Sequence, residues 1–133
     1  MADKNEKASL IQQLIDLAKS DEHMKDAEFQ FIMNLAHQMG LTRDELKQIF
    51  EKHIEFKPPK LEFERIVQFQ RLVLLMNVDL HIDKSELDYI RNLGIRMGLH
   101  PSATNEILKI MHDYPNKVVP PQKLIEVFKT YQN

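Results

Sequence analysis

Asp83-Lys84-Ser85-Glu86-Leu87-Asp88-Tyr89-Ile90-Arg91-Asn92-Leu93-Gly94-Ile95-Arg96-Met97-Gly98-Leu99 is the stretch that decides the fold. Asp83 and Glu86 stand at capping-box spacing: the first side chain accepts an early helical amide, and the second reaches back to the cap residue. Gly98 suits the left-handed position just past a helix end, and Leu99 supplies the apolar contact of a Schellman motif. One helix is therefore predicted over about 84–97. Shifted by 58 residues, the chain matches itself. Leu14 falls on Leu72, Leu17 on Leu75, Asp21 on Asp79, His23 on His81, Glu28 on Glu86, Ile32 on Ile90, Asn34 on Asn92 and Leu35 on Leu93. Met39-Gly40-Leu41 falls on Met97-Gly98-Leu99 without a gap. Any two amphipathic helices share apolar positions, but the polar pairs and the ungapped triplet indicate a duplication.

Working outward, helical periodicity runs through the chain. Leu10, Ile11, Leu14, Ile15, Leu17 and Ala18 make a wide apolar stripe over about 4–19, opened by Asp3 with Glu6. A second helix is predicted over about 26–39, closed by Gly40, and a third over about 43–53, opened by Thr42 with Glu45. Pro58-Pro59 predict a fourth from near Pro59 to about Val78, since proline suits a first helical turn. Its run Leu72-Val73-Leu74-Leu75-Met76 is apolar all round and marks it as the most buried helix. A sixth helix starts at Pro101 and ends near His112. Pro120-Pro121 lead into a seventh that ends near Gln132; Glu126 and Gln132 echo Glu64 and Gln70. Val118-Val119 are too few for a sheet. The expected fold is an all-α single domain: one three-helix repeat over about 4–56, a second over about 59–113, and a C-terminal helix over about 120–132. Units this small cannot bury their apolar faces alone, so the copies must pack together, suggesting a pseudo-two-fold bundle.

The segments 14–41 and 72–99 resemble the tellurite-resistance TerB-like family. Its signature is an apolar helix, an Ala-Asp-Gly-like turn, then an apolar residue, Asp, two residues and Glu opening the next helix. The first copy reads Ser20-Asp21-Glu22-His23-Met24-Lys25-Asp26-Ala27-Glu28 and the second Val78-Asp79-Leu80-His81-Ile82-Asp83-Lys84-Ser85-Glu86. Glu22 and Leu80 replace the turn glycine, and Lys25 replaces the second Asp of the first copy. The resemblance implies an all-helical, two-fold-symmetric bundle linked to tellurite and other stress responses. It brings no established catalytic reaction, and it brings a proposal that the acidic turns bind metal.

Composition narrows the function classes. The 133 residues carry 18 Lys+Arg against 20 Asp+Glu, a net charge of −2, so no polycationic surface drives nucleic-acid binding. Cysteine is absent, which excludes disulfides, thiolate nucleophiles and cysteine metal sites. Three glycines leave no phosphate-cradling loop. No apolar run approaches the ~20 residues of a membrane span, and the polar start of the chain is unlike a signal peptide, so a cytoplasmic location is expected.

Two sets of residues stand out. Asp21, His23 and Glu28 with Asp79, His81, Asp83 and Glu86 offer oxygen and imidazole ligands for a divalent metal, the only cofactor the chain suggests. The competing reading is helix capping, in which the same carboxylates meet early amides and the positive end of the helix dipole. An EF-hand is excluded by the missing ligand register and central glycine. Asn34 and Asn92, poor helix formers at matched mid-helix positions, suggest structural hydrogen bonds between helices. Gly40 and Gly98 are predicted to have positive φ. The histidines show no i, i+4 metal spacing, and Arg65, Arg71, Arg91 and Arg96 read as solvated faces. With no nucleophile–base pair in view, the expected function is a non-enzymatic stress-response or protein-interaction module with an unidentified protein partner or a second copy of itself. The alternative is a divalent-metal sensor built on the acidic turns.

Overall fold

The computed structural model describes residues 4–20, 23–78 and 82–131. Its described residues form an all-α domain of seven α-helices without a strand: α1 (Lys4–Ala18), α2 (Asp26–Gln38), α3 (Arg43–Glu51), α4 (Glu62–Met76), α5 (Lys84–Arg96), α6 (Pro101–Ile110) and α7 (Pro121–Thr130). Two 3-10 turns, Met111–Asp113 and Pro115–Lys117, join α6 to α7. Helix α1 packs on α2, α3, α4 and α5; the chain then continues the bundle through α4 on α5, α5 on α6 and α6 on α7.

The helix ends follow local chemistry. Gly40 and Gly98 have φ of 82° and 76°. Leu41 N–H donates to the Ala36 carbonyl and Leu99 N–H to that of Gly94, while Gly40 and Gly98 donate to His37 and Ile95. These are two complete Schellman motifs. A Cβ added at either glycine meets no atom within 4 Å, so only the backbone conformation opposes a side chain there. Gly40→Ala and Gly98→Ala are each expected to cost about 1–2 kcal/mol, with asparagine better tolerated at both. Urea unfolding checks this, and an alanine variant more stable than the parent would contradict it. At α3, Thr42 Oγ1 accepts from Glu45 N–H at 3.1 Å and Glu45 Oε1 accepts from Thr42 N–H at 2.9 Å. The Thr42 amide bond and the Lys4 ammonium hold the Glu45 carboxyl down at about 2.

Three expectations need correction. Helix α4 begins at Glu62, not near Pro59. The carbonyls of Pro59 and Lys60, which would start a helical ladder, instead accept from Arg65 Nη1 at 3.0 and 2.8 Å, and Leu61 is extended. At the second Pro-Pro pair, Pro121 does occupy the first turn of α7. Helix α6 ends at Ile110, before the expected His112, and passes into a 3-10 turn. The most buried helix is α1 rather than α4. Leu72 and Leu75 are fully buried as expected, but α1 also buries Ser9, Gln12 and Gln13. Each of those polar side chains is hydrogen-bonded inside the fold.

Candidate functional site

The acidic turns come first. Glu28 and Glu86 are both 1% exposed. Glu28 Oε1 accepts from Lys25 N–H at 2.9 Å, and Glu86 Oε1 accepts from Asp83 N–H at 3.1 Å. The two copies thus use the same buried carboxylate to reach back to the residue before the helix. Lys25 has no acceptor to return the bond, so α2 starts with the carboxylate half of a capping box. His23 is exposed ahead of α2, and Asp83 is half-buried at the start of α5. Among the described residues no group of three or more His, Asp or Glu is placed to hold a metal ion. Asp21, Asp79 and His81 lie outside the described residues.

The paired asparagines do not bridge helices as expected. Asn34 is exposed and accepts from Gln30 Nε2, one turn back on its own helix, at 3.0 Å. Asn92 is also exposed. Helix matching by sequence shift does not tell which side of a helix a polar pair occupies, and here it is the solvent side.

A polar cavity of about 150 Å³ lies between α1, the extended chain at 53–56 and α5. Its walls come from Ser9, Gln12, Gln13 and Asp16, opposite Tyr89 and Arg96. The i, i+3, i+4, i+7 spacing of the four α1 residues puts them on one helical face. Two of them tether the chain that crosses over α1. Gln12 Oε1 accepts from Ile54 N–H at 3.1 Å, and Ser9 Oγ accepts from Lys57 N–H at 2.8 Å. Gln12 Nε2 also donates to Asp16 Oδ1 at 2.9 Å. Behind them, Gln68 Nε2 donates to the Leu10 carbonyl at 3.1 Å and to Gln13 Oε1 at 2.9 Å. The Arg96 guanidinium lies over the Phe56 ring, 4.2 Å from its centroid. Burial pushes the Tyr89 hydroxyl well above the usual phenol range; the Asp16 charge adds to this and the Arg96 charge opposes it. The phenol therefore lies within electrostatic reach of both.

A second, apolar cleft of about 310 Å³ opens between the starts of α1 and α4. Leu10, Met39, Pro59, Phe63 and Val67 supply its walls. Its charged residues come in opposite pairs, Glu6 and Glu64 against Lys7 and Arg71. Arg71 is half-buried, donates to Gln68 Oε1 at 3.3 Å, and has its pKa lowered by burial, with Glu64 opposing. Leu61 and Phe63 remain 62% and 61% exposed. So of the four arginines read as solvated, Arg65 locks the entry to α4, Arg71 lines this cleft and Arg96 stacks on an aromatic ring. Arg91, bonded to Asn105 and near Asp88, and Arg96 are both exposed and fit that description, whereas Arg65 and Arg71 are half-buried.

Sequence reasoning missed both cavities. A signal was available for the first: Ser9, Gln12 and Asp16 recur at helical spacing, which periodicity alone assigns to solvent. No helix among the described residues is long and apolar enough to cross a membrane. No protein-family model, curated protein or solved structure matches the chain.

Proposed function

We propose that this chain is a non-enzymatic protein-interaction module of the stress-response kind that the TerB-like resemblance implies, and that partners dock at the start of α4. The observation that carries the reading is the exposure of Leu61 and Phe63 beside an apolar cleft. Large apolar side chains left in water next to a concave apolar wall mark interaction sites more often than isolated exposed residues do. The partner feature that fits is a large apolar side chain flanked by charges of both signs. Two further facts support the duplicated architecture behind this reading: the matched glycine caps, and the matched buried glutamates at the starts of α2 and α5.

Affinity capture from the native cell, with the wild-type chain and Phe63→Asp as parallel baits, tests the proposal. Phe63 is already exposed, so the substitution is expected to leave unfolding within about 0.5 kcal/mol of wild type. It is expected to abolish capture of a stoichiometric partner. Recovery of the same partner in equal amount by both baits would move the docking surface elsewhere.

A further inference from the structure

We infer that the occupant of the cleft at the start of α4 is a second copy of this chain, in a two-fold dimer where Phe63 of each copy enters the cleft of the other. This rests on the docking surface proposed above and names its partner. One face carries both the knob and the hole. Phe63 is 61% exposed, and the cleft it borders has apolar walls from Leu10, Met39 and Val67. A two-fold axis through such a face sets each knob against the other copy's hole, so every contact is made twice. Glu62, next to Phe63, borders a second open hollow together with Ile95. Leu61, Phe63 and Ile95 are the three most exposed large apolar side chains among the described residues, and all three gather at this helix start. Single exposed apolar residues are ordinary; three together mark a surface that is covered in the working assembly.

Charge selects the second copy as the cover. Lys7, Glu64 and Arg71 line the cleft, and none of them makes an ion pair among the described residues. A face of one sign repels a copy of itself, whereas a face of both signs attracts it when the axis sets base against acid. Glu64 directly follows Phe63, so the segment that carries the ring into the opposite cleft brings a carboxylate toward Lys7 and Arg71 there. Arg71 is half-buried, and burial lowers its pKa. A carboxylate arriving from the other copy offsets that loss of water. The cleft fits a large apolar side chain flanked by charges of both signs, and Lys60-Leu61-Glu62-Phe63-Glu64 is that feature in the chain's own sequence. A net charge of −2 leaves little overall repulsion between copies.

Sedimentation equilibrium of the purified full chain, from about 10 µM to about 1 mM, tests the dimer. The average mass is expected to climb from the 15.7 kDa of one chain toward twice that, with a dissociation constant below about 100 µM. Phe63→Asp is expected to weaken the dimer at least about tenfold. Phe29→Asp alters another exposed aromatic, near the start of α2 and away from the Met39 end that borders the cleft, and is expected to leave the dimer within about twofold. Lys7→Glu and Glu64→Lys each set like charges against one another across the axis, and each alone is expected to weaken the dimer about tenfold. An equimolar mixture of these two variants is expected to dimerise about as tightly as wild type, because each supplies the charge that the other has lost. If a charge variant fails to fold, wild type and Phe63→Asp still decide. A wild-type chain that stays monomeric at about 1 mM overturns the inference, as does a dimer that Phe63→Asp leaves equally tight, or a mixture no tighter than its two components. A monomeric chain whose cellular partner is still lost with Phe63→Asp overturns the second copy alone and keeps the docking surface. A cellular partner captured equally by both baits overturns the docking surface as well.

Discussion

Phe69→Ala is expected to destabilise the protein by about 3–5 kcal/mol, the largest effect of any single truncation considered for this fold. Phe69 is fully buried on α4, and its ring meets Phe128 of α7 edge-on, with centroids 6.1 Å apart and planes at 80°. Its removal takes away apolar area, leaves a cavity beside Leu72 and Val73, and deletes an aromatic pair worth about 0.5–1.5 kcal/mol beyond burial. Helix α7 buries Leu124, Val127 and Phe128, so the ring pair is one of the few contacts that tie it to the core besides its packing on α6. Urea unfolding with wild type in parallel measures the loss, and a fall in the slope of the transition would show α7 released before the rest. Leu72→Ala and Leu75→Ala, equally buried, are expected to cost about 2–5 kcal/mol each. A loss below about 1 kcal/mol for Phe69→Ala would mean that the α4–α7 contact closes over the gap, contrary to close packing.

Gln68→Leu is expected to cost about 2–4 kcal/mol, although it exchanges a polar core residue for an apolar one of similar size. Gln68 is fully buried and joins three groups: its amide nitrogen serves the Leu10 carbonyl and Gln13 Oε1, and its carbonyl accepts from Arg71. The Leu10 carbonyl keeps its place in the α1 ladder. Gln13 and the half-buried Arg71 lose a partner each, at about 1–3 kcal/mol for a buried group left unmade. Equilibrium unfolding gives the total, and Gln68→Leu in a Gln13→Leu background should cost less than in the parent, because that partner is already gone. Equal costs in both backgrounds would show that the two glutamines are not coupled.

Much of the fold was legible because its signals are local. A glycine after an apolar run, or a carboxylate three residues into a helix, acts on backbone groups within one turn, so Gly40, Gly98, Glu45 and Glu86 could be read without neighbours. The entry to α4 was not legible. Pro58-Pro59 permit a helical start, and the choice against it is made by Arg65, six residues further on, reaching back to the Pro59 carbonyl. The candidate sites were less legible still. The acidic turns were visible as residue types, and their described members turn out to be engaged at helix starts. The two cavities exist only where helices distant in sequence face one another.

The sequence by itself determined that this chain forms helices, where most of them end and which apolar faces seek cover, since periodicity and capping depend on spacing alone. The tertiary structure decided what happens to the polar residues. Ser9, Gln12, Gln13 and Gln68 are buried because the crossing chain and α4 bring amides and carbonyls within hydrogen-bond distance, which makes burial affordable for groups that would otherwise stay in water. Asn34 and Asn92 have the same helical spacing logic but no such partners across a helix interface, and they remain outside. Whether a polar side chain lines a cavity or a solvent face depends on what arrives opposite it, and only packing brings that group there.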